Sequence, residues 1–357
     1  MGRGQGIGLA EVARAAGVST ATVSNVLNRP EIVSPQTTAR VLDAIRELDF
    51  VPNRAAATLR RGVNPLIALF VPEVANPFYS EIVGAVADEA AAHDFTIGLC
   101  VTHDDPEREV AFANSLAEQR AAAAIVVPIT ADAPRLSQLR RIGARLVLLD
   151  RMASSADGCS VGIDDVLGGR LAVRHLLDSG ATEVTLVNGR HSIQQCADRH
   201  SGAVQALAER RFGAEALTEI VVDSMSVDAG RRVGLEIAGS AVPRAIFCAN
   251  DQLAVGVIAG LRDGGVDVPG QAIVVGYGDQ SLALDGPVPL TSVAQPTHHM
   301  GVEAVRCVFA EIHEGERHVH RAVQLSPELV VRDSAPATAE HRPPRGGLPE
   351  PTRQERE

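Results

Sequence analysis

The stretch GVSTATVSNVLN, residues 17–28, carries no charged side chain, although the chain of 357 residues has a formal net charge of -11. Val23, Val26 and Leu27 have the i, i+3, i+4 spacing of one helix face, and Ser19 stands where an N-cap residue satisfies free backbone amides. The pattern predicts a helix from Ser19 to about Leu27. The other face of this helix carries only short, uncharged side chains: Thr20, Ala21, Ser24, Asn25 and Asn28.

Amphipathic helical patterns flank this stretch on both sides. The earlier pattern has apolar residues at Leu9, Val12, Ala13 and Ala16. The later one follows the helix-start signal Ser34-Pro35 and has apolar residues at Val41, Leu42, Ile45 and Leu48. With Gly17 as the turn residue, the first two helices have the spacing of a helix-turn-helix unit, whose second helix enters the DNA major groove. A plain three-helix bundle is the alternative that these spacings leave open.

Charge is distributed unevenly along the chain. Residues 1–62 hold 8 arginines and 5 acidic residues, a net charge of +3, whereas residues 63–357 hold 25 arginines and 39 acidic residues, a net charge of -14. The basic N-terminal part fits a polyanionic partner, and it also fits an ordinary solvated surface. All 33 basic residues are arginine, which excludes a Walker A phosphate loop and a Schiff-base lysine.

The rest of the chain alternates short apolar runs with helical patterns, as in PLIALFVPEV, AAAAIVVPI, TEVTLVNG and QAIVVGYG. This alternation predicts parallel α/β sheets, and the length suits two sheets better than one. Polar residues end several of the runs, at Asn76, Asp150-Arg151, Asn188-Gly189, Asn250-Asp251 and Asp279. Because α/β folds bind ligands at the carboxyl ends of parallel strands, these residues predict a polar cleft.

No feature of the sequence predicts a membrane, metal or cofactor partner. The apolar runs are too short to span a bilayer and the N-terminus lacks the apolar core of a signal peptide, so we expect a cytoplasmic protein. Its five cysteines, with no CxxC pair, are expected to be reduced core residues. His313, His318 and His320 flank the loop EGER without the spacing of a metal site. The Pro- and charge-rich tail at 334–357 is predicted to be disordered.

The N-terminal motifs form a longer pattern. AxxAGVSxxTVSxVLN, VSxxTxxRV and PNxxAxxL follow one another within residues 9–62, and in this order they resemble the DNA-binding headpiece of the LacI/GalR, or lactose-repressor, family. The resemblance implies that Thr20, Ala21 and Asn25 read base edges. The hydroxyls and amide that suit phosphate oxygens are those of Ser19, Thr22, Ser24 and Asn28.

A short helical segment follows the headpiece. NRAAATLRR, residues 53–61, begins with an N-capping Asn, and a helix of this length is marginal on its own in water. The resemblance implies that it folds when two copies of the chain meet over the DNA minor groove, with Leu59 wedged into the central base step. A core leucine is the alternative role. The expected assembly is therefore a homodimer on a double-stranded, near-palindromic operator.

The resemblance extends over about residues 9–333, through NPFYSEI, VLLDR, ADRHSGAVQAL, CANDQLAVGV and PLTSVAQP. It implies a periplasmic-binding-protein-like core with a small effector between two lobes. Residues carried over as effector contacts are Phe78, Tyr79, Asp150, Arg199, Asn250 and Gln295. Arg199 is the expected anchor, because a guanidinium offers five donors in a rigid fork; a surface salt bridge is its alternative role. Gly278 and Ser224 depart from the family pattern of a sugar pocket, so the effector class, a sugar or a nucleoside, stays open.

These observations predict an all-α helix-turn-helix headpiece with a hinge helix, followed by a two-lobed α/β core. The expected ranges are 1–52 for the headpiece, 53–62 for the hinge helix, 63–333 for the effector-binding and dimerisation core, and 334–357 for the tail. Within the core, we assign about 63–161 and 291–320 to lobe 1 and about 162–290 and 321–333 to lobe 2. The expected function is ligand-responsive transcriptional regulation, most simply repression. An enzyme or a transport-type solute binder on the same core is the rival, but no catalytic motif has recognisable spacing.

Overall fold

A computed structural model describes residues 8–50, 64–128, 145–152 and 158–337. The chain divides into two units, Met1–Asn64 and Pro65–Glu357. The described part of the first unit, residues 8–50, is helical, and the second unit contains two six-stranded sheets with helices on their faces. This confirms the predicted fold class. The hinge helix expected at 53–62 lies outside the described residues.

Within residues 8–50 the N-terminal unit has three α-helices: α1 (Leu9–Ala16), α2 (Thr20–Asn28) and α3 (Pro35–Glu47). The turn between α1 and α2 depends on Gly17, which has the left-handed φ of 65° that glycine adopts without a steric penalty. The Oγ of Ser19 accepts a hydrogen bond from the backbone N–H of Thr22 at 3.1 Å and so caps α2. The predicted helix over the opening stretch is therefore confirmed, with Ser19 as its N-cap.

The apolar faces of these helices meet in one small core. Its fully buried members include Val12 and Val23, and α3 contributes Val41 and Ala44. Leu42 was expected on the same stripe, but it is 45% exposed, so that prediction is wrong. Only one side of α3 packs against this core.

The first sheet of the second unit has the strand order β11-β5-β4-β3-β1-β2. Numbered in chain order, its strands are β1 (Asn64–Val71), β2 (Thr96–Val101), β3 (Ala121–Val126), β4 (Arg145–Leu149), β5 (Cys159–Ile163) and β11 (Ala322–Leu325). Its helices are α4 (Pro77–Ala92), α5 (Pro106–Glu118) and α11 (Thr297–Glu314). Helices α4 and α11 pack on one face and α5 on the other, so the central strands of the sheet are buried on both sides.

The second sheet has the order β12-β10-β9-β8-β6-β7, and only the pairing of β12 with β10 is antiparallel. Its strands are β6 (Val184–Asn188), β7 (Leu217–Val221), β8 (Ala245–Cys248), β9 (Ile273–Gly278), β10 (Thr291–Ala294) and β12 (Glu328–Val330). Its helices are α6 (Asp165–Asp178), α7 (Gln194–Glu209), α8 (Val227–Ala238), α9 (Asp251–Asp263) and the short α10 (Leu282–Asp285). The pair α6 and α7 covers one face, and α8 and α9 cover the other.

Each sheet with its helices is one lobe, and the described chain passes between the lobes three times, after β5, β10 and β11. The predicted boundary at 161 falls inside β5. The predicted boundaries at 291 and 320 are also wrong, because β10 pairs with β9 and β12 in the second sheet and β11 pairs with β5 in the first. Strand pairing depends on hydrogen bonds between distant segments, so local pattern does not reveal which sheet a short strand joins.

The core also extends past residue 333, where the tail was expected to begin. Ser334 and Ala335 are fully buried. The Oγ of Ser334 accepts a hydrogen bond from the backbone N–H of Thr291 at 2.8 Å and donates one to the carbonyl of Val274 at 2.6 Å. The predicted boundary is therefore early, and the rest of the tail from residue 338 lies outside the described residues.

Helices α8 and α9 approach each other through glycines. A Cβ added at Gly256 on α9 would lie 2.1 Å from the carbonyl oxygen of Val227, and one at Gly260 would lie 2.2 Å from that of Arg231. Any larger side chain would therefore push one backbone off the other. These glycines fix the spacing of the two helices that cover one face of the second sheet.

Gly256→Ala should lower the free energy of unfolding by about 1–3 kcal/mol, because an overpacked methyl group must displace backbone. Gly84→Ala is the matched control. Gly84 lies on α4, and a Cβ there would meet nothing within 4 Å. That change should leave stability unchanged or raise it by up to about 1 kcal/mol, since alanine restricts the unfolded chain. Urea unfolding of both variants checks this, and equal effects would contradict the close packing.

The longest described helix, α11, has 18 residues and includes four charged side chains: Glu303, Arg306, Glu311 and Glu314. Among the residues that the structure describes, no helix combines the length and the apolar composition of a bilayer span.

Candidate functional site

The outer face of α2 has the geometry expected of a recognition surface. Thr20, Ala21 and Asn25 are all exposed, whereas Val23 is fully buried and Val26 is 5% exposed on the opposite side. The buried valines hold the helix in the three-helix core. The exposed face carries no charge and no long side chain, so a partner can come close to the helix backbone.

The residues expected to contact phosphates lie on the same helix and at its start. The hydroxyl oxygens of Ser19 and Thr22 lie 2.9 Å apart in one hydrogen bond, and Ser19 is exposed. Ser24 is partly buried. The side chain of Asn28 and the whole of Leu59 lie outside the described residues.

The second unit has a cleft where the carboxyl-terminal ends of strands from its two sheets face each other. Asp150 follows β4 of the first lobe, and its carboxylate Oδ2 accepts a hydrogen bond of 2.9 Å from Nε2 of Gln195 on α7 of the second lobe. The same amide also donates to the backbone carbonyl of Asp150. Nε2 of Gln280, after β9, donates to Oδ1 of Asn76 at 3.4 Å. Both contacts join the lobes across the predicted polar edge.

Asp150 and Tyr79 lie on the first-lobe side of this cleft, and Phe78 packs beside Tyr79 within the first-lobe core. The Tyr79 hydroxyl donates to Oδ2 of Asp150 at 3.4 Å, and the rings of Phe78 and Tyr79 meet edge to face with centroids 5.0 Å apart. Burial, then the negative charge of Asp165, raises the pKa of the Asp150 carboxyl to about 7, against the lowering effects of Arg199 and the two hydrogen bonds. Asp150 therefore titrates near neutral pH.

Arg199 lies on the second-lobe side, within a buried network. Its Nε donates to Oδ1 of Asp165 at 2.8 Å and its Nη1 to the carbonyl of Ala249 at 2.6 Å. The guanidinium carbon stands 3.8 Å from the ring centroid of Tyr277, whose hydroxyl also donates to Asp165. Burial opposes the charge of Arg199, but Asp165, Tyr277 and Cys196 together outweigh burial and raise the guanidinium pKa. Since the Arg199 side chain is only 8% exposed, its alternative role as a surface salt bridge is wrong.

Asn250 and Gln295, the last two residues that the family resemblance assigns to the effector, have different surroundings. Oδ1 of Asn250 caps α9 by accepting from the N–H of Leu253, and its Nδ2 donates to the carbonyl of Met225 at 2.9 Å. Gln295 follows β10 and is partly buried. Its side-chain amide has no hydrogen-bond partner among the residues that the structure describes. Gln295 is therefore better placed than Asn250 to offer a free polar group.

Four residues that sequence reasoning missed complete the cleft: Asp165, Gln195, Tyr277 and Gln280. Asp165 and Tyr277 hold the Arg199 guanidinium, and the two glutamines join the lobes. Tyr277 stands in the quoted run QAIVVGYG, so its position at a strand end was a usable signal. Neither glutamine belongs to a recognised catalytic or binding motif. They reach the cleft only because the fold brings distant segments together.

Gly278, which departs from the family pattern, is followed by an acidic residue, Asp279, that is paired within the protein. Gly278 has a φ of 130°, which a residue with a side chain adopts only with strain. The next residue, Asp279, accepts a 2.5 Å hydrogen bond from Nη1 of Arg332, which also donates to the carbonyl of Leu290. This acid therefore ties β9 to the segment after β12.

A helix-turn-helix unit with an uncharged exposed helix face, joined to a two-sheet α/β core with a polar cleft, defines a class of DNA-binding transcriptional regulators. Residues 8–53 match the family described as bacterial regulatory proteins, lacI family, and residues 173–335 match a periplasmic binding protein-like domain. The chain belongs to the lacI family of bacterial regulatory proteins. Regulators of this family are not enzymes, so the enzyme alternative is excluded.

Named relatives and solved structures agree with this assignment. The HTH-type transcriptional regulator DegA of Bacillus subtilis is 31% identical over 327 residues, which are 91% of this chain and 96% of DegA. The HTH-type transcriptional repressor PurR of Photobacterium profundum is 30% identical over 91% of this chain and 97% of that repressor. The lac repressor dimer bound to operator and the anti-inducer ONPF superposes with a TM-score of 0.82 at 25% identity, covering 93% of this chain and all of that one.

Proposed function

We propose that this regulator is a repressor that binds a near-palindromic operator as a homodimer and responds to a small-molecule effector in the cleft between its lobes. The observation that best supports DNA binding is the two-faced helix α2. It has buried valines on one side and exposed Thr20, Ala21 and Asn25 on the other. The similar lac repressor structure is a dimer bound to operator. A two-fold protein reads a two-fold DNA site.

In this proposal α2 lies in the major groove. The amide of Asn25 can pair with adenine, and the methyl groups of Thr20 and Ala21 can contact a thymine methyl. Ser19, Thr22, Ser24 and Asn28 bind phosphate oxygens, which position the helix without reading sequence. Selection of bound duplexes from random DNA tests the proposal. A symmetric consensus supports it, and a lack of enrichment at any salt concentration contradicts it.

Asn25→Ala should alter base preference at one symmetric pair of operator positions, with about 1–3 kcal/mol lost for the preferred base. Ser24→Ala is the comparison on the adjacent residue, and it should weaken binding by a similar factor for every sequence. Measuring the affinities of both variants for an operator panel separates the two roles. A uniform loss for Asn25→Ala would assign that side chain to the phosphates instead.

Leu59→Ala should weaken operator binding on the order of tenfold or more, about 1.4 kcal/mol, because an alanine cannot keep the central base step open. Affinity for non-operator DNA should stay unchanged, since that affinity comes from phosphate contacts. Circular dichroism and effector binding provide the check on folding. Equal affinity of wild type and variant for the operator would show that Leu59 does not insert into the minor groove.

The effector half of the proposal rests on the groups at the cleft. Tyr79, with Phe78 packed against it, offers an aromatic ring, and the Asp150 carboxyl lies close enough to Arg199 for the guanidinium charge to lower its pKa. The Gln295 amide makes no hydrogen bond to any described residue, so a donor and an acceptor remain there for a ligand. Hydroxyl-rich ligands with a flat or ring-shaped face match this set. A sugar or a nucleoside is the proposed class, and a similar solved structure is a CelR regulator in complex with cellobiose.

Effector binding acts on DNA affinity by population shift. A ligand that binds one arrangement of the lobes more tightly favours it, and the DNA-bound state changes by the same coupling energy. A thermal-shift screen of sugars and nucleosides identifies ligands, since binding to the folded state raises the melting temperature. A hit must also change operator affinity, and Gln295→Ala should weaken it without unfolding the core. A ligand that binds equally well to Gln295→Ala would show that the effector site does not include Gln295.

A further inference from the structure

Four side chains of metal-ligand type converge in the first lobe, away from the cleft. Cys159 is the first residue of β5, Glu311 lies in the last turn of α11, and His318 and His320 lie just before β11. One ligand atom from each residue lies within 4.8 Å of all the others. These residues stand at the amino-terminal ends of the strands, whereas Asp150 stands after the carboxyl-terminal end of β4.

Three of the separations between these atoms are close to those of a tetrahedral site. Sγ of Cys159 is 3.1 Å from Nε2 of His318 and 3.7 Å from Nδ1 of His320, and that nitrogen is 3.4 Å from Oε1 of Glu311. Zinc bond lengths of about 2.0–2.3 Å place neighbouring tetrahedral ligands roughly 3.3–3.6 Å apart. A single ion can therefore reach all four atoms after small side-chain movements.

A separate observation indicates that a ligand belongs here. Glu311 is only 6% exposed, and its Oε1 is buried without a hydrogen bond of normal geometry among the residues that the structure describes; it lies 3.4 Å from Nδ1 of His320, a member of the same cluster. A buried carboxylate oxygen without a good hydrogen bond is costly, and native proteins pair such groups or use them to coordinate metals. A cation among the four ligands would satisfy this oxygen.

The surroundings also orient one of the histidines. Nδ1 of His318 lies 2.7 Å from Oε2 of Glu314, and the His318 side chain is 5% exposed. A carboxylate that accepts the Nδ1 proton leaves the lone pair on Nε2, which faces Cys159. Carboxylate–histidine pairs of this kind accompany most histidine zinc ligands.

We propose that Cys159, Glu311, His318 and His320 bind one Zn²⁺-class ion and that this ion fixes α11 and the segment before β11 to the start of β5. On binding, the Cys159 S–H bond breaks, the proton leaves to solvent and an S–metal bond forms, with no change of oxidation state. The mixed sulfur, nitrogen and oxygen set favours zinc over calcium or magnesium. Four protein ligands close the coordination sphere, as in structural rather than catalytic sites. The sequence alone led us to expect no metal, because His313, His318 and His320 lack the spacing of a metal site.

His313 is exposed and is not among the converging atoms, so His313→Ala is the matched control. A second group, His191, His200 and Glu219, offers the competing location. It is less suited, because Oε1 of Glu219 already accepts from Asn188 and lies 2.9 Å from His191. His191→Ala therefore serves as the variant that separates the two locations.

The full-length chain, stripped with a chelator, is titrated with ZnCl₂ in a calorimeter. We expect one tight site per chain, at least 100-fold weaker in Cys159→Ser and in His318→Ala, and unchanged in His313→Ala and His191→Ala. Glu314→Gln should weaken it about 10–100-fold, the usual effect of losing the carboxylate behind a histidine ligand. Zinc binding that is lost in His191→Ala and kept in Cys159→Ser overturns the proposal.

Co²⁺ as a spectroscopic substitute identifies the ligands directly, even if one variant is less stable. The wild-type protein should show the charge-transfer absorption of a thiolate–Co²⁺ bond, and Cys159→Ser should lack it while retaining its circular dichroism. Glu311→Gln, which keeps the side-chain volume, should bind Co²⁺ more weakly with the thiolate band intact at saturation. An unchanged thiolate band in Cys159→Ser, or no band in the wild type, contradicts the site.

Discussion

Replacing Arg199 by methionine should lower the free energy of unfolding of the core by about 3–5 kcal/mol, because it leaves the Asp165 carboxylate buried without its charged partner. The two side chains are 8% and 5% exposed, and their atoms are 2.8 Å apart. The loss would arise in the second lobe itself, where the guanidinium also binds the carbonyl of Ala249 and stacks on Tyr277. Urea unfolding at neutral pH measures it.

A second substitution separates the unpaired charge from lost packing. Arg199→Met combined with Asp165→Asn buries no charge, and the asparagine oxygen can still accept the Tyr277 hydroxyl. We expect the double variant to be more stable than Arg199→Met alone, and the double-mutant cycle gives the coupling energy of the pair. Additive effects would show that the two groups do not stabilise each other.

An exposed pair of similar geometry provides the control. Nη2 of Arg231 lies 2.7 Å from Oδ2 of Asp263, but these side chains are 57% and 43% exposed. Arg231→Met should therefore change stability by no more than about 1 kcal/mol. The contrast tests whether burial, and not the short distance, decides the value of an ion pair here. Because Arg199 variants are expected to be less stable, their effector binding must be compared together with their free energy of unfolding.

Local features of the headpiece could be predicted because neighbouring residues determine them. Ser19 caps the helix that its own spacing indicates, and Gly17 makes the turn that its position requires. Leu42 was placed wrongly because a stripe of apolar residues shows which face of a helix is apolar, but not how much of it the partner helices cover.

The contacts that complete the cleft join residues that are far apart in sequence. Asp165 lies 34 residues before Arg199, and Gln195 lies 45 residues after Asp150. The group around Cys159 spans a longer separation, since His318 is 159 residues away. The polar residues at strand ends were enough to predict where the cleft edge lies. Which of these residues contact each other depends on the order of the strands in each sheet. The order of short strands such as β10 and β11 follows from long-range packing and has no local signal.

Asp150→Asn should make the stability of the core less sensitive to pH, with a difference from wild type of about 4 kcal/mol across the full titration range. Burial raises the pKa of Asp150 from 3.8 to about 7, so the folded chain holds this proton more tightly than the unfolded chain does. The resulting stabilisation is complete below about pH 3.8 and is lost as the pH rises through about 7. Asparagine resembles the protonated acid and does not titrate.

Asparagine is also the substitution that disturbs this position least. Asp150 has a φ of 58°, and asparagine tolerates left-handed backbone better than other residues with side chains. Its amide oxygen can accept from Tyr79 and Gln195 as the carboxylate does. Unfolding curves of both proteins between pH 4.5 and 8.5 should therefore diverge as the pH increases, with the variant the more stable at the alkaline end.

Gln195→Ala tests the origin of the shift. The Gln195 amide donates to the Asp150 carboxylate and so lowers its pKa, and removing the donor should move the titration of Asp150 to higher pH. Because this hydrogen bond joins the two lobes, the charge state of Asp150 should also change the balance between their arrangements, and effector affinity should follow the same titration. A stability difference between Asp150→Asn and wild type that does not vary with pH would mean that Asp150 is already ionised throughout this range and has no such effect.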